Sequence, residues 1–224
     1  MPQCILILDF GAQYTQLIAR RVREAHVFCE VVPFCGSVEE IQRRKPVGLI
    51  LSGGPASVTD SDAPRVDPML YELGLPVLGI CYGMQLTAHT LGGVVERAKD
   101  REYGRVKVSF DTSVPLCTGM KPQSIMWMSH TYHVTQAPEG FSSIASSDNC
   151  AFCAMANPDK KIYAVQFHPE VTHSEEGSLL LQNFLYRICG CAGDWTMDAV
   201  IELAVSSITK VDRKSGSAGM PRPI

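Results

Sequence analysis

The sequence predicts an α/β fold, with a doubly wound, mostly parallel central sheet, helices on both faces and an antiparallel accessory sheet. Three observations predict it. Short unbroken apolar runs, Cys4–Asp9, Val47–Leu51 and Pro76–Ile80, have the composition of strands buried on both faces. Stretches of helical spacing lie between them, so strand and helix alternate as βαβ crossovers require. From about Gly104 onward the texture changes to short strands separated by turns, which suits antiparallel additions to the sheet or a small accessory sheet.

Each element has its own signal. Cys4–Asp9 is the first strand. A helix follows from about Tyr14 to Ala25, with Leu17, Ile18 and Val22 on one face and Arg20, Arg21, Arg23 and Glu24 opposite, the latter most simply a solvated face. Val27–Pro33 is the second strand, Val38–Arg44 a short helix and Val47–Leu51 the third strand. The Pro76-led run forms the next strand, and Tyr82–Leu91 has helical spacing closed by Gly92-Gly93. Gly104–Phe110, Ser124–Ser129, Phe141–Ser147, Ala151–Ala156 and Ile162–Phe167 are the later strands, Glu175–Ile188 is helical, and Asp194–Lys210 is expected to add one more helix with Ala199, Leu203 and Ile208 inward. The tail over 211–224, rich in Gly, Ser, Pro and charge, is expected to be linker or disorder. The domain expectation is a main body over 1–192, a helix over 193–210 and a tail over 211–224.

Composition narrows the function classes. With 224 residues and 46% hydrophobic content, the chain can bury a full core. A net charge of −3 and a pI near 6.1 leave no electrostatic footprint for nucleic acid or an acidic membrane surface. No apolar run approaches the roughly 20 residues that span a bilayer, and the opening Met1-Pro2-Gln3-Cys4 enters a strand without a leader pattern. Nine cysteines, an odd count, fit reduced thiols in the cytoplasm better than a disulfide framework. Cys150-Ala-Phe-Cys153 and Cys189-Gly-Cys191 invite a zinc reading. The first lies in an apolar strand-like run and the second is too closely spaced, so no metal is expected.

Chemistry concentrates in two places. Cys81 falls between the Pro76-led strand and the following helix, with Gly79 two before it and Gly83 two after. That is the strand–nucleophile–helix turn of Gly-x-Ser-x-Gly hydrolases with sulfur for oxygen, and the positive end of a helix favours an anion there. Taken alone, the window suits a buried structural cysteine equally well. The second place is Tyr163–His173, where His168 and Glu170 follow an apolar strand with Pro169 between them. Residues two apart on extended backbone point the same way, so Glu170 can orient one ring nitrogen of His168 while the other faces Cys81. A lone histidine at a strand end is more often structural; a His-x-Glu paired with a cysteine elbow points to nucleophilic catalysis. Ser52-Gly53-Gly54-Pro55 follows the third strand. It lacks the acid of a pyrophosphate loop, and its glycines make either a plain turn or a backbone N–H donor for an oxyanion.

These residues resemble the class I (triad) glutamine amidotransferases, whose fold is flavodoxin-like. Gly79-Ile-Cys81-Tyr-Gly83-Met-Gln85 looks like their nucleophile elbow, His168-Pro-Glu170 like their His-Pro-Glu, and Ser52-Gly-Gly-Pro55 like their oxyanion strand. Within the family the chain is most similar to the glutaminase domains of GMP synthases. The similarity runs through Asp9–Glu24, Arg101-Glu-Tyr-Gly104, Trp127-Met-Ser-His130 and Gln166–His173, and covers about residues 3–197. The resemblance implies glutamine hydrolysis through a thioester on Cys81, with ammonia passed to a synthetase site that aminates adenylylated XMP. It implies an oxyanion hole from the N–H groups of Gly54 and Tyr82. It places Gln85, Ser129, His130, Thr131 and Tyr132 at the amino-acid end of glutamine. No cofactor is implied within 1–192; ATP and magnesium belong to an ATP pyrophosphatase domain or subunit, the expected partner.

Two departures stand out. The family usually reads Ser-His-Gly-Asp where this chain has Ser129-His130-Thr131-Tyr132, and no Ser-Gly-Gly-x-Asp-Ser is present. The chain is therefore expected to be a separate glutaminase subunit or, in preference, a fragment of a longer protein. Other amidotransferases of the class, a non-catalytic docking module and a cysteine peptidase are the competing readings.

Overall fold

A computed structural model of the chain describes residues 3–196. Nine strands form one continuous sheet in the order β2-β1-β3-β4-β9-β8-β7-β5-β6. β1 (Cys4–Asp9), β2 (Phe28–Pro33), β3 (Gly48–Leu51), β4 (Val77–Ile80) and β9 (Ile162–Val165) are parallel to one another. β8 (Ala154–Asn157), β7 (Ser142–Ser146), β5 (Val94–Phe110) and β6 (Gln123–Gln136) continue from β9 with antiparallel pairing. The later strands thus extend the central sheet instead of forming a separate accessory sheet.

The apolar runs behave as strands covered on both sides. Ile5 and Ile7 of β1 pack in one core with Ile18, Ala19 and Val22 of α1 (Thr15–Glu24) and with Leu180 and Leu181 of α4 (Gly177–Gln182). Leu6 and Leu8 pack in the other with Ile41 of α2 (Val38–Arg44) and Met84, Leu86 and Ala88 of α3 (Tyr82–Thr90). Alternate side chains of one strand therefore serve two cores, and each fully buried Leu or Ile stabilises by about 1.5–3 kcal/mol. Helix ends follow local chemistry. Ser37 and Glu40 form a reciprocal capping box on α2. Gly92, at φ +92°, closes α3 in a left-handed turn, with the Gly93 N–H donating to Ala88 O at 2.7 Å.

Several expectations change in extent. β5 begins ten residues earlier than Gly104, and β6 runs on past Ser129 to Gln136, so the two form a long hairpin. A register shift in β5 between Arg97 and Glu102 sets an excursion opposite Thr131. The hairpin joins the remaining sheet through two strand pairs, Ser109–Ser146 and Phe110–Ala145. The helix expected over 175–188 is α4 followed by a wider π-type turn over Asn183–Ile188. Asn183 donates from Nδ2 to Leu116 O at 3.0 Å and Thr118 O at 2.8 Å, which ties its side chain into the neighbouring loop at the point of widening.

A compact unit runs through Gly193, and Asp194 begins a second unit. Residues 194–196 have no regular structure; the rest of the expected 194–210 helix and the 211–224 tail lie outside the described residues. All nine cysteines are free thiols, and among the described residues no helix is long and apolar enough to cross a membrane.

Candidate active site

The carboxyl ends of β3, β4 and β9 lie side by side, and each delivers one part of the site. This is where open α/β sheets place their ligands. β4 delivers Cys81. Its amide donates to Val165 O of β9 at 2.8 Å, and its backbone sits at φ 52°, ψ −103°, a region L-residues rarely occupy. The turn exists because its neighbours have no side chains. A Cβ on Gly79 would lie 2.6 Å from Gly83 O, and one on Gly83 would lie 2.4 Å from Leu51 O. Strand and helix therefore touch backbone to backbone, and Cys81 is thrust out at the N-terminus of α3.

β9 leads into His168 and Glu170. His168 Nδ1 lies 2.8 Å from Glu170 Oε1, with both side chains buried. Cys81 is the other group that acts on the ring. Burial opposes charge on His168, but hydrogen bonding to, and charge interaction with, Cys81 and Glu170 outweigh it and push the imidazole up to about 10. The backbone around the pair is anchored. The His168 N–H donates to Trp127 O at 2.9 Å, Ser174 Oγ donates to His168 O at 2.6 Å, and Arg21 Nε donates to Glu170 O at 2.9 Å. Arg21 is thus part of the support for Glu170, a correction to its reading as a solvated residue.

β3 delivers the loop over the thiol. A Cβ placed on Gly53 would lie 3.4 Å from His168 Cε1 and 3.7 Å from Cys81 Cβ, so this residue packs between base and nucleophile. On Gly54 a Cβ would collide with Phe10 O at 2.8 Å. Ser52 fixes the loop by accepting from Phe10 N at 3.0 Å and by receiving the Gly83 N–H on its carbonyl at 3.1 Å. Gly54 and Tyr82 both border the cavity beside Cys81. Tyr82 opens α3, so its N–H has no intrahelical acceptor.

The cavity has a volume of about 500 Å3 and reaches from Gly54 and Cys81 to the β5–β6 hairpin. Gln85, Ser129, His130, Thr131 and Tyr132 all line it. Gln85 also supports its wall, since Nε2 donates to Tyr132 O at 2.8 Å. Thr131 Oγ1 lies 2.8 Å from Tyr103 Oη across the hairpin. The His130 ring is buried, with Nε2 3.3 Å from Glu102 Oε2. Sequence reasoning gave no role to Gln166, whose Nε2 donates to Cys81 Sγ at 3.8 Å, or to Arg97 and Tyr103, which line the cavity. No local signal marks Gln166, because its partner Cys81 lies 85 residues away in the chain. His173 stands outside the cavity, its ring 4.7 Å from that of Trp127.

A profile of the family described as glutamine amidotransferase class-I matches residues 6–188. The chain belongs to this family. The amidotransferase is similar to GMP synthase [glutamine-hydrolyzing] of Acetivibrio thermocellus, at 56% identity over 206 residues, and to that of Caldanaerobacter subterraneus, at 52%. Each alignment covers 92% of this chain and 40% of the relative, so the chain spans about two fifths of the relatives it matches. Among solved structures, it is similar to a Thermoplasma acidophilum protein described as one subunit of a GMP synthase. That match has a TM-score of 0.73 and 31% identity, and covers 85% of this chain and 95% of the other. A Thermotoga maritima glutamine amidotransferase shares the fold at TM-score 0.66 and 18% identity, with 84% and 99% covered. The α/β amidotransferase architecture predicted from the sequence is the one these relatives share.

Proposed function

We propose that the chain hydrolyses glutamine and hands the ammonia to an ATP-dependent synthetase domain or subunit that converts XMP to GMP. The observation that carries this reading is the Cys81 elbow set against a buried His168–Glu170 pair. Cys81 sulfur attacks the side-chain amide carbon of glutamine, and the oxyanion that forms is met by the Gly54 and Tyr82 N–H groups. The carbon–nitrogen bond breaks as His168 gives its proton to the departing nitrogen, releasing ammonia and leaving a γ-glutamyl thioester. Water then attacks that ester, His168 takes the water's proton, and glutamate leaves as the proton returns to sulfur. Glu170 holds the ring orientation throughout. No cofactor is called for within these residues; ATP and magnesium act at the partner, and the setting is the cytoplasm.

The GMP assignment is supported by the likeness to GMP synthases over 92% of the chain. The test is ammonia release from glutamine by the chain and by Cys81→Ala, with and without a separately made synthetase domain, ATP and XMP. Release that needs Cys81 and rises with the loaded partner is the expected result. Cys81-dependent release that ignores the partner would sink the GMP assignment, and no release from folded chain under any condition would sink the glutaminase reading. Glu170→Gln is expected to lower turnover by roughly 10²- to 10⁴-fold with KM little changed.

A further inference from the structure

Beside the cavity wall, β5 and the β7–β8 connection bring together three buried donors that the glutaminase chemistry does not use. Glu102 stands on β5, and Cys150 and Cys153 stand on the connection; one ligand atom from each lies within 4.8 Å of the other two. Two sulfurs on one tetrahedral zinc sit about 3.8 Å apart, given Zn–S bonds of about 2.3 Å, a spacing that the limit on these three donors allows. The thiols are held in place by backbone bonds. Ser147 N–H donates to Cys150 O at 2.8 Å, and Cys153 N–H donates to Ala145 O at 2.8 Å. Glu102 accepts from Ser147 Oγ on Oε1 at 2.8 Å, while Oε2 is buried with no aligned donor. His130 Nε2, 3.3 Å from that oxygen and itself without an aligned partner, is placed as an outer neighbour of the carboxylate. Sequence alone offers only the Cys-x-x-Cys half of a zinc pattern; the third donor is 48 residues upstream of Cys150 and is brought in by the fold.

We propose that Glu102, Cys150 and Cys153 bind a thiophilic divalent cation of the zinc class, clipping the cavity-bearing hairpin to the β7–β8 connection. Charge favours it: two thiolates and a carboxylate answer a dication in a buried pocket where three anions alone would be costly. The clip would add to the attachment of a hairpin whose strand pairing with the remaining sheet is confined to Ser109–Ser146 and Phe110–Ala145.

The test uses the 224-residue chain, purified under reducing conditions, stripped with chelator and re-exposed to zinc or cobalt(II). The expected result is about one zinc per chain, and with cobalt a near-ultraviolet sulfur-to-metal absorption. Cys153→Ala should abolish both. Glu102→Gln, which keeps the Ser147 hydrogen bond available, should weaken affinity roughly 10-fold or more. Cys35→Ser, at the exposed thiol, should leave uptake intact. No uptake by wild type, uptake unchanged in folded Cys153→Ala and Glu102→Gln, or uptake that follows Cys35 would each overturn the proposal. So would recovery of a Cys150–Cys153 disulfide from protein that takes up no metal, which would make the pair redox-active instead.

Discussion

Cys81 occupies its strained backbone because the fold requires a side chain to project there, and the strain is separable from the chemistry. Cys81→Gly and Cys81→Ala are both expected to lose ammonia release. Glycine relieves the positive φ and alanine does not, so the glycine variant should melt as the more stable by about 1 kcal/mol. His168 titrates according to what surrounds it. Its folded value, about 10, lies above the ordinary 6.5, so its interactions stabilise the fold fully below about pH 6.5, and that contribution is lost as pH rises through about 10. In Cys81→Ala the largest favourable partner is gone, and the imidazole resonance followed by NMR should titrate well below about 10. An unchanged titration would mean that Glu170 alone holds the charge. At this scale the sequence was informative wherever chemistry imposes spacing. Gly79-x-Cys81-x-Gly83 and His168-x-Glu170 were legible because each is a local geometric requirement. Arg21, Gln166 and Glu102 were not, since their roles arise from contacts 149, 85 and 45 residues away in the chain.

Among the elements, the apolar strands were the most legible, because burial on both faces leaves an unbroken hydrophobic run. The β5–β6 hairpin was the least. Glu96, Arg97, Ser129 and His133 give no alternation that composition could detect, and the extra length comes from cross-strand pairing in a ribbon with one open face. The π-type turn after α4 was hidden for a related reason: helical composition is unchanged there, and only Asn183's reach to a distant loop marks it. The close packing of β3 against α3 gives a sharp mutational prediction. Gly83→Ala places a methyl group 2.4 Å from Leu51 O, and nothing at that contact is a flexible side-chain tip. It should cost about 3 kcal/mol in a denaturant melt and displace Cys81 as well. Gly74→Ala, whose added carbon meets open space but whose φ is +69°, should cost only about 1 kcal/mol.

Across the described residues, two cores enclose the parallel half of the sheet, and the hairpin carrying the cavity wall sends Val108 and Met126 into one and Val95 and Val134 into the other while pairing with the sheet only at its antiparallel end. Amide exchange should follow that division: β1, β3 and β4 slowest, residues 129–133 of β6 markedly faster, with uniform protection across both regions counting against it. The alternation of strand and helix in the doubly wound half could be read from the sequence, since each apolar run is followed by a stretch of helical spacing. The order of β5 to β9 could not, because β9 inserts between β4 and β8 through pairings distant in the chain. One backbone bond acquires a further meaning from this layout. The amide of His168, the proposed base, is fastened to Trp127 O on the hairpin, and Glu175 N–H to Ile125 O beside it. The hairpin that walls the cavity is therefore also a brace for the His168 backbone, so a substitution that shifts the ribbon is expected to disturb the His168–Glu170 pair as well.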